Sequence, residues 1–219
     1  MDVLEQLWNN LPGTIGNVNA ISVVDTSGSM YFSKGPLTPA LISQAMGLYC
    51  AERCEGLFRN HLITFESSPH LIKIHGAPLR DKLRYIRTLP WGDSTNLEAV
   101  FDLILRAAVN SGAKQKELPR VIYIFSDMEF NCCMRNADKT VYENARQRFE
   151  ACGYDMPAVV FHNVNSWQMQ TPVTAHTKGT ALTSGAGTHA LAHKFDGNIT
   201  PMNHMLRVLN SDRYAMIHA

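Results

Sequence analysis

The sequence predicts an α/β fold: a doubly wound, mostly parallel central sheet with one antiparallel edge strand and helices on both faces. Three observations carry this expectation. Short apolar runs, such as residues 21–24 and 158–161, alternate with longer stretches whose apolar residues recur every three to four positions. The run Val121-Ile122-Tyr123-Ile124-Phe125 is apolar throughout, as befits a central parallel strand covered on both faces. Two of the runs end on an acid with a hydroxyl beside it, Asp25-Thr26-Ser27 and Ser126-Asp127. In open α/β sheets ligands bind beyond the carboxyl ends of the strands.

Taken in order, residues 1–17 read as a lead-in: a short helix with Val3, Leu4, Leu7 and Trp8 as its apolar stripe, then a Pro12-Gly13 turn. A single domain is expected over 18–219. Its first strand covers about 19–25. Thr38-Pro39 starts a helix, with a capping hydroxyl followed by proline at the first helical position. This helix runs to about Cys54, with Leu41, Ile42, Ala45, Met46 and Tyr49 as its expected buried face.

Residues 61–65 and 71–74 are the next two strands. The connection around Ser67-Ser68-Pro69 is too short for a parallel crossover, so these strands pair antiparallel at one edge. Over 79–88, Leu79, Leu83 and Ile86 oppose Arg80, Lys82, Arg84 and Arg87, which predicts a helix with a solvated basic face.

The segment Gly92-Asp93-Ser94-Thr95-Asn96-Leu97-Glu98 opens an amphipathic helix. Its inward face is Leu97, Val100, Phe101, Ile104, Leu105 and Ala108. Thr95 and Glu98 have the spacing of a capping box, which is the ordinary role for this threonine. The central strand 121–125 follows, then a helix at 139–152, a strand at 158–161 and a strand at 180–183. Helices at 187–195 and 201–210 close the chain, the second started by Thr200-Pro201. The polar stretch 163–180 is long for a loop.

Composition excludes several classes. The 219 residues are 45% hydrophobic, which suits one globular domain. A formal net charge of +1 gives no bulk attraction to nucleic acid or to a membrane surface. No segment approaches the ~18 apolar residues of a membrane span. The N-terminus lacks the basic start and apolar core of a signal peptide. Five cysteines, an odd count without paired C-x-x-C motifs, point to a reduced, cytoplasmic or otherwise intracellular setting.

The loop Asp25-Thr26-Ser27-Gly28-Ser29 carries the candidate chemistry. An acid and two hydroxyls on alternate positions are hard oxygen donors of the kind Mg²⁺ takes. The same residue types also cap helices and close turns, so the loop alone leaves both roles open. Thr95 and Asp127 are expected to reach the same sheet edge and to complete the set.

This D-x-S-x-S, then T, then D pattern resembles the metal-ion-dependent adhesion site (MIDAS) of von Willebrand factor A (vWA) domains, over essentially the whole chain from about residue 18. A narrower resemblance is to the uncharacterised vWA proteins related to the Ro, or TROVE-type, RNA-binding proteins. It rests on Ile124-Phe125-Ser126-Asp127-Met128-Glu129-Phe130, Pro157-Ala158-Val159-Val160-Phe161-His162-Asn163-Val164-Asn165 and Lys178-Gly179-Thr180-Ala181-Leu182-Thr183-Ser184-Gly185. The resemblance implies Asp25, Ser27, Ser29, Thr95 and Asp127 as ligands of Mg²⁺, with Mn²⁺ or Ca²⁺ as substitutes. Asp93, Ser94, Ser126 and Glu129 are expected in the surrounding shell or cleft.

The expected function is a binding module: the cation takes a carboxylate from a protein partner. The alternative is a Mg²⁺-dependent hydrolase or phosphotransferase with Asp25 as nucleophile. Against it, Ser27 stands where such an enzyme needs a second carboxylate, and no basic residue lies in the three loops to hold a phosphate. No enzyme activity is therefore expected. Ro-like RNA association is a minor alternative. In Ro proteins a helical-repeat region supplies most RNA contacts, and these residues include no such region. Adjacent Cys132 and Cys133 lack the second pair of a zinc site. Cys50 and Cys54 are expected in a helix core, and His162 at a strand end.

Overall fold

The computed structural model describes residues 3–13, 15, 18–33, 35–89, 92, 94–130, 141–165, 172–191, 199–214 and 216. Six strands form one sheet: β1 (Ala20–Asp25), β2 (His61–Phe65), β3 (Leu71–Lys73), β4 (Val121–Ser126), β5 (Ala158–Asn163) and β6 (Thr180–Ser184). Their spatial order is β3-β2-β1-β4-β5-β6. All neighbours are parallel except β2 and β3, which pair antiparallel from His61↔Lys73 to Ile63↔Leu71 at the edge, as the short connection requires. This is the vWA-like α/β architecture expected. The chain winds outward from β1 to β3, then returns to β4 on the other side of β1. The strand order therefore reverses between β1 and β4, and a crevice opens at their carboxyl ends.

Among the described residues six α-helices flank the sheet: α1 (Val3–Asn9), α2 (Pro39–Arg53), α3 (Leu79–Arg87), α4 (Leu97–Ser111), α5 (Val141–Ala151) and α6 (Pro201–Leu209). On one face α4 and α5 bury Phe101, Ile104 and Phe149 against Ile124 and Phe161. All six apolar residues predicted to face inward on α4 are buried. On the other face α2 packs Met46 and Tyr49 against Tyr123 and Phe125, while Leu48 meets Leu62 and Ile86 of α3. Burying one such side chain contributes about 1.5–3 kcal/mol.

Several local expectations change. α2 buries Met46 and Tyr49 of its predicted face, but the covered surface is turned away from Leu41 and Ile42. Leu41 is 38% exposed and Ile42 is half-buried, whereas Ser43, Gly47, Leu48 and Ala51 are covered. The reason is a close approach to β1. A Cβ on Gly47 would lie 2.2 Å from Val24 Cγ2, and Ser22 Oγ donates to the Gly47 carbonyl at 3.1 Å. Small residues at i, i+4 and i+8 (Ser43, Gly47, Ala51) make that contact.

In α1, Val3, Leu4 and Leu7 are exposed, and Trp8 does the docking. Its Nε1 donates to Glu52 Oε2 at 2.6 Å, and the Arg53 guanidinium sits 5.4 Å from its ring centroid. Glu5 Oε2 accepts from the Leu79 N–H at 2.6 Å at the start of α3. The strands predicted at 158–161 and 180–183 form, and two predicted helix starts hold: Thr38 and Thr200 cap α2 and α6 through their hydroxyls. β5 runs two residues further than predicted, to Asn163. Of the helix predicted over 187–195, the described part is a 3₁₀ turn at Thr188–Leu191, and residues 192–198 lie outside the described set. The same is true of 139–140 and of 166–171 within the long polar stretch.

Candidate metal centre at the carboxyl edge

β1 carries Asp25 to the carboxyl edge of the sheet, where it is fully buried. Its two carboxylate oxygens are held separately. Oδ1 accepts from the Ser27 N–H at 2.8 Å, and Oδ2 accepts from Ser126 Oγ at 2.5 Å. The Asp25 N–H donates to Ser43 Oγ at 3.1 Å, and Ser43 Oγ donates to the Phe125 carbonyl at 2.8 Å. Ser43 thus ties α2 to the ends of both central strands.

After Asp25 the chain turns into a 3₁₀ segment, Gly28–Tyr31, closed by Met30 N–H to the Ser27 carbonyl at 3.0 Å. This turn brings Ser27 Oγ and Ser29 Oγ to 3.3 Å from each other.

β4 delivers Asp127, which is buried. Met128 then adopts a left-handed backbone, φ 70°, a conformation rare for a side chain of its kind. The reversal aims the next N–H back: Glu129 N–H donates to Asp127 Oδ1 at 3.1 Å. Met128 N–H in turn donates to Ser126 Oγ at 3.0 Å. Thr95 reaches the same loop, where its Oγ1 donates to the Glu129 carbonyl at 2.6 Å.

Thr95 is not the helix cap. Asn96 takes that role, its side chain accepting from the Ala99 N–H at 3.0 Å. Freed from capping, the Thr95 hydroxyl commits its hydrogen to Glu129 and keeps its lone pairs for another partner.

The hydrogen-bond network therefore links all three predicted loops, and each of Asp25, Ser27, Ser29, Thr95 and Asp127 stands in it or at its edge. Of the surrounding set, Ser126 and Glu129 are integral: one hydroxyl positions Asp25, and one backbone unit joins Thr95 to Asp127. Ser94 Oγ is buried with no hydrogen-bond partner among the described residues, beside Thr95. Asp93, Cys132 and Cys133 lie outside the described residues. Ser43 was missed by sequence reasoning. The signal that finds it is a serine four residues before a glycine on the inner face of an apolar helix.

Burial pushes the Asp25 carboxyl up from its usual 3.8 to about 6, against the Ser126 and Ser27 hydrogen bonds that lower it. The neighbouring Asp127 charge adds to the rise. Among the described residues, no Lys, Arg or His forms an ion pair with Asp25 or Asp127. Two buried carboxylates without a cationic partner, ringed by hydroxyls, are a donor set that fits a hard divalent cation. Among the described residues, no group of three or more His, Cys, Asp or Glu is placed to hold a metal, so any ion here depends on the hydroxyls.

His162 lies one strand over and is also buried. Its ring nitrogens meet Thr183 Oγ1 at 2.8 Å and the Gly185 carbonyl at 2.7 Å, which ties β5 to the end of β6. Burial lowers its pKa, opposed by the Gly185 carbonyl. Both ring nitrogens are used within the fold, a structural role. Cys50 and Cys54 are free and buried, as expected of a helix core.

An open cleft of about 560 Å³ adjoins the network. Its lining mixes Ser29, Asp127, Glu129 and Asn165 with Phe32, Leu37, Ile42 and Val164.

Comparison with known proteins agrees with this architecture. A Ro (RSR) protein of Deinococcus radiodurans superposes with a TM-score of 0.51 at 14% identity, over 84% of this chain and 35% of that one. Proximal thread matrix protein 1 of the mussel byssus gives a TM-score of 0.50 at 11% identity, over 80% of this chain and 45% of its own. At such identities the likeness is one of fold. In sequence, an uncharacterised protein, L728 of Acanthamoeba polyphaga mimivirus, is 33% identical over 199 residues, or 90% of this chain. The chain spans about a third (34%) of that relative's length. Residues 19–205 match the model of a domain of unknown function, DUF7788, and the chain belongs to that family.

Proposed function

We propose that this chain is a divalent-cation-dependent binding module that recognises an acidic residue of a protein partner at the carboxyl edge of its sheet. The observation that carries the reading is the pair of buried carboxylates, Asp25 and Asp127, held in one hydrogen-bond network without a cationic side chain among the described residues. Asp25 and Asp127 balance a divalent charge. Ser27, Ser29 and Thr95 offer neutral oxygens. When bound, Mg²⁺, or Mn²⁺ or Ca²⁺ in its place, supplies an electron-poor position that a partner's carboxylate can fill.

The chain's own residues do the positioning. Ser126 and the Ser27 N–H orient Asp25, the Glu129 N–H orients Asp127, and the Glu129 carbonyl orients the Thr95 hydroxyl. In this reading the site binds and does not turn over. Ser27 occupies the position a phosphotransferase gives to its acid–base carboxylate, and a formal net charge of +1 gives RNA no bulk attraction. An intracellular location accords with the free thiols of Cys50, Cys54 and Cys152. Among the described residues, no helix is long and apolar enough to cross a membrane.

The test is a titration of the ¹⁵N-labelled chain with a short Gly/Ser peptide bearing one Asp, and with its Asn counterpart. Shifts at residues 27–30, 95 and 127–129 are expected for the Asp peptide in Mg²⁺, and none in EDTA or for the Asn peptide. Equal responses to both peptides, or equal responses with and without the ion, overturn the reading. Phosphatase turnover that vanishes in Asp25→Asn overturns it in favour of the enzyme.

A further inference from the structure

A groove of about 430 Å³ lies where α1 meets α3, and it shares no residue with the cleft beside the candidate metal centre. Its lining combines Leu4, Leu79 and Leu83 with Arg80, Arg84 and Arg87, and Glu5 is the one acid in it. The helical period of α3 explains the mixture. Leu79, Leu83 and Ile86 form one stripe, and Arg80, Arg84 and Arg87 form the stripe one position round. Ile86 is buried, and Leu79 and Leu83 pack against its cluster. The two leucines are therefore half-buried while the three arginines beside them are exposed.

α1 is fixed next to α3 by polar contacts rather than by its leucines. Glu5 Oε2 accepts from the Leu79 N–H at 2.6 Å, and the Trp8 carbonyl accepts from Arg53 Nη2 at 2.6 Å. Leu4 is left 66% exposed at the groove, and Val3 and Leu7, on the same face of α1, are exposed as well. A contiguous exposed apolar group beside a groove marks an interaction surface.

Charge decides what fits. The neighbouring acids are engaged within the fold: Glu5 holds the Leu79 N–H, and Glu52 holds Trp8 Nε1 and, at 2.6 Å, Lys82 Nζ. Asp81 meets Arg84 at 3.4 Å in an exposed i, i+3 pair, a contact of little strength. Arg87 forms no ion pair among the described residues. Three arginines against one committed glutamate leave the groove cationic.

We propose that this groove is a docking surface separate from the metal edge, and that its occupant is an acidic segment of a partner protein with leucine-type side chains among its carboxylates. The apolar side chains rest on Leu4, Leu79 and Leu83, and the carboxylates pair with Arg84 and Arg87. Other occupants fit less well. A flat anionic membrane does not reach the half-buried leucines, and a nucleic-acid backbone has no use for them. The exposed apolar helix of a second copy, α6, carries Arg207 and no acid. The inference does not depend on a cation at the metal edge.

The experiment uses the full chain in EDTA, so that the metal edge contributes nothing, and a short fluorescein-labelled peptide made of Glu and Leu. Control peptides carry Gln for Glu or Ser for Leu. The Glu/Leu peptide is expected to bind about tenfold more tightly than either control, from two exposed ion pairs and the apolar area covered, and raised salt should weaken it. In the ¹⁵N-labelled chain it should shift the amides of residues 4–5 and 79–88 and leave 27–30 and 127–129 in place. Arg84→Ser/Arg87→Ser should reduce its affinity to that of the Gln peptide, and Leu4→Ser should weaken it, with circular dichroism unchanged in both. No binding of the Glu/Leu peptide, or equal binding of all three peptides, overturns the inference. Binding that both variants leave intact places the seat elsewhere and overturns it. Retention of the chain on phosphatidylserine vesicles or on a uridine oligonucleotide, lost in the arginine variant and without any peptide binding, makes the occupant a lipid or a nucleic acid and overturns it. Self-association in sedimentation velocity that Leu4→Ser abolishes makes it a second copy and overturns it too.

Discussion

The helices α2 and α4 cover opposite faces of the same sheet, and they do so by different physics. α4 presents a wide apolar stripe, with Val100 and Phe101 fully buried, and contributes packing. α2 presents small and polar residues to β1. Gly47 lets the backbone close on Val24, and Ser43 hydrogen-bonds to Asp25 and to Phe125. One helix stabilises the domain, and the other fixes where the buried acid stands. Stability and site geometry are thus assigned to separate faces, and substitutions on each should separate the two properties.

The largest effect is expected on the α4 face. Phe101→Ala leaves a cavity in the core and should cost about 3–5 kcal/mol in chemical denaturation. Divalent-ion affinity of the folded fraction should stay at the wild-type value. Loss of ion affinity in a still-folded Phe101→Ala protein would break the separation.

The next effect concerns the buried acid. In the metal-free chain Asp25 has a folded pKa of about 6 against 3.8 in its ordinary state. The folded form therefore holds the proton more tightly than the unfolded form. Its contribution is fully present below about pH 4 and is lost as pH rises through 6, a change of about 3 kcal/mol at 1.36 kcal/mol per unit. Urea melts of wild type and Asp25→Asn across this window isolate the group from His162, whose buried ring shifts in the opposite sense. The wild-type chain should lose stability relative to the variant as pH rises, and Mg²⁺ should cancel the loss by favouring the carboxylate. A pH-independent difference contradicts this.

On the α2 face, Gly47→Ala places a methyl against Val24 and should cost about 1–3 kcal/mol. Because the displaced helix carries Ser43, ion affinity should fall with stability, unlike Phe101→Ala. The smallest effect is expected from Ser43→Ala, about 1–2 kcal/mol from two altered backbone contacts in a buried place. Its ion affinity should nevertheless fall further, relative to stability, than that of Gly47→Ala. If Ser43→Ala binds the ion as wild type does, the positioning role assigned to α2 is wrong.

The two helices also differ in how legible they were. The stripe of α4 repeats in phase over three turns, so its buried face followed from spacing alone. The face of α2 followed only in part: Met46 and Tyr49 are buried as expected, but Ser43, Gly47 and Ala51 are covered because β1 approaches their small side chains. The mostly parallel sheet and its antiparallel edge followed from apolar runs and connection lengths; the spatial order of the strands did not. That the loops of Asp25, Thr95 and Asp127 meet at one edge followed from their places at strand and helix ends, while their reading as ligands came from the family resemblance. What spacing left hidden was how they are held. Thr95 had the pattern of a capping box, yet Asn96 caps α4, and only the turn at Met128 brings the Glu129 carbonyl to the Thr95 hydroxyl. α1 was misread for a similar reason: its leucines look outward, and Trp8 docks through Glu52 and Arg53, partners more than forty residues away.

The most direct test of the account is a calorimetric titration of Mn²⁺ into the full chain, wild type beside Asp25→Ala and Thr95→Ala. The account predicts one ion per wild-type chain and loss of binding in both variants, with circular dichroism showing all three folded. Equal binding by the three proteins, or no binding by the wild type, would contradict it.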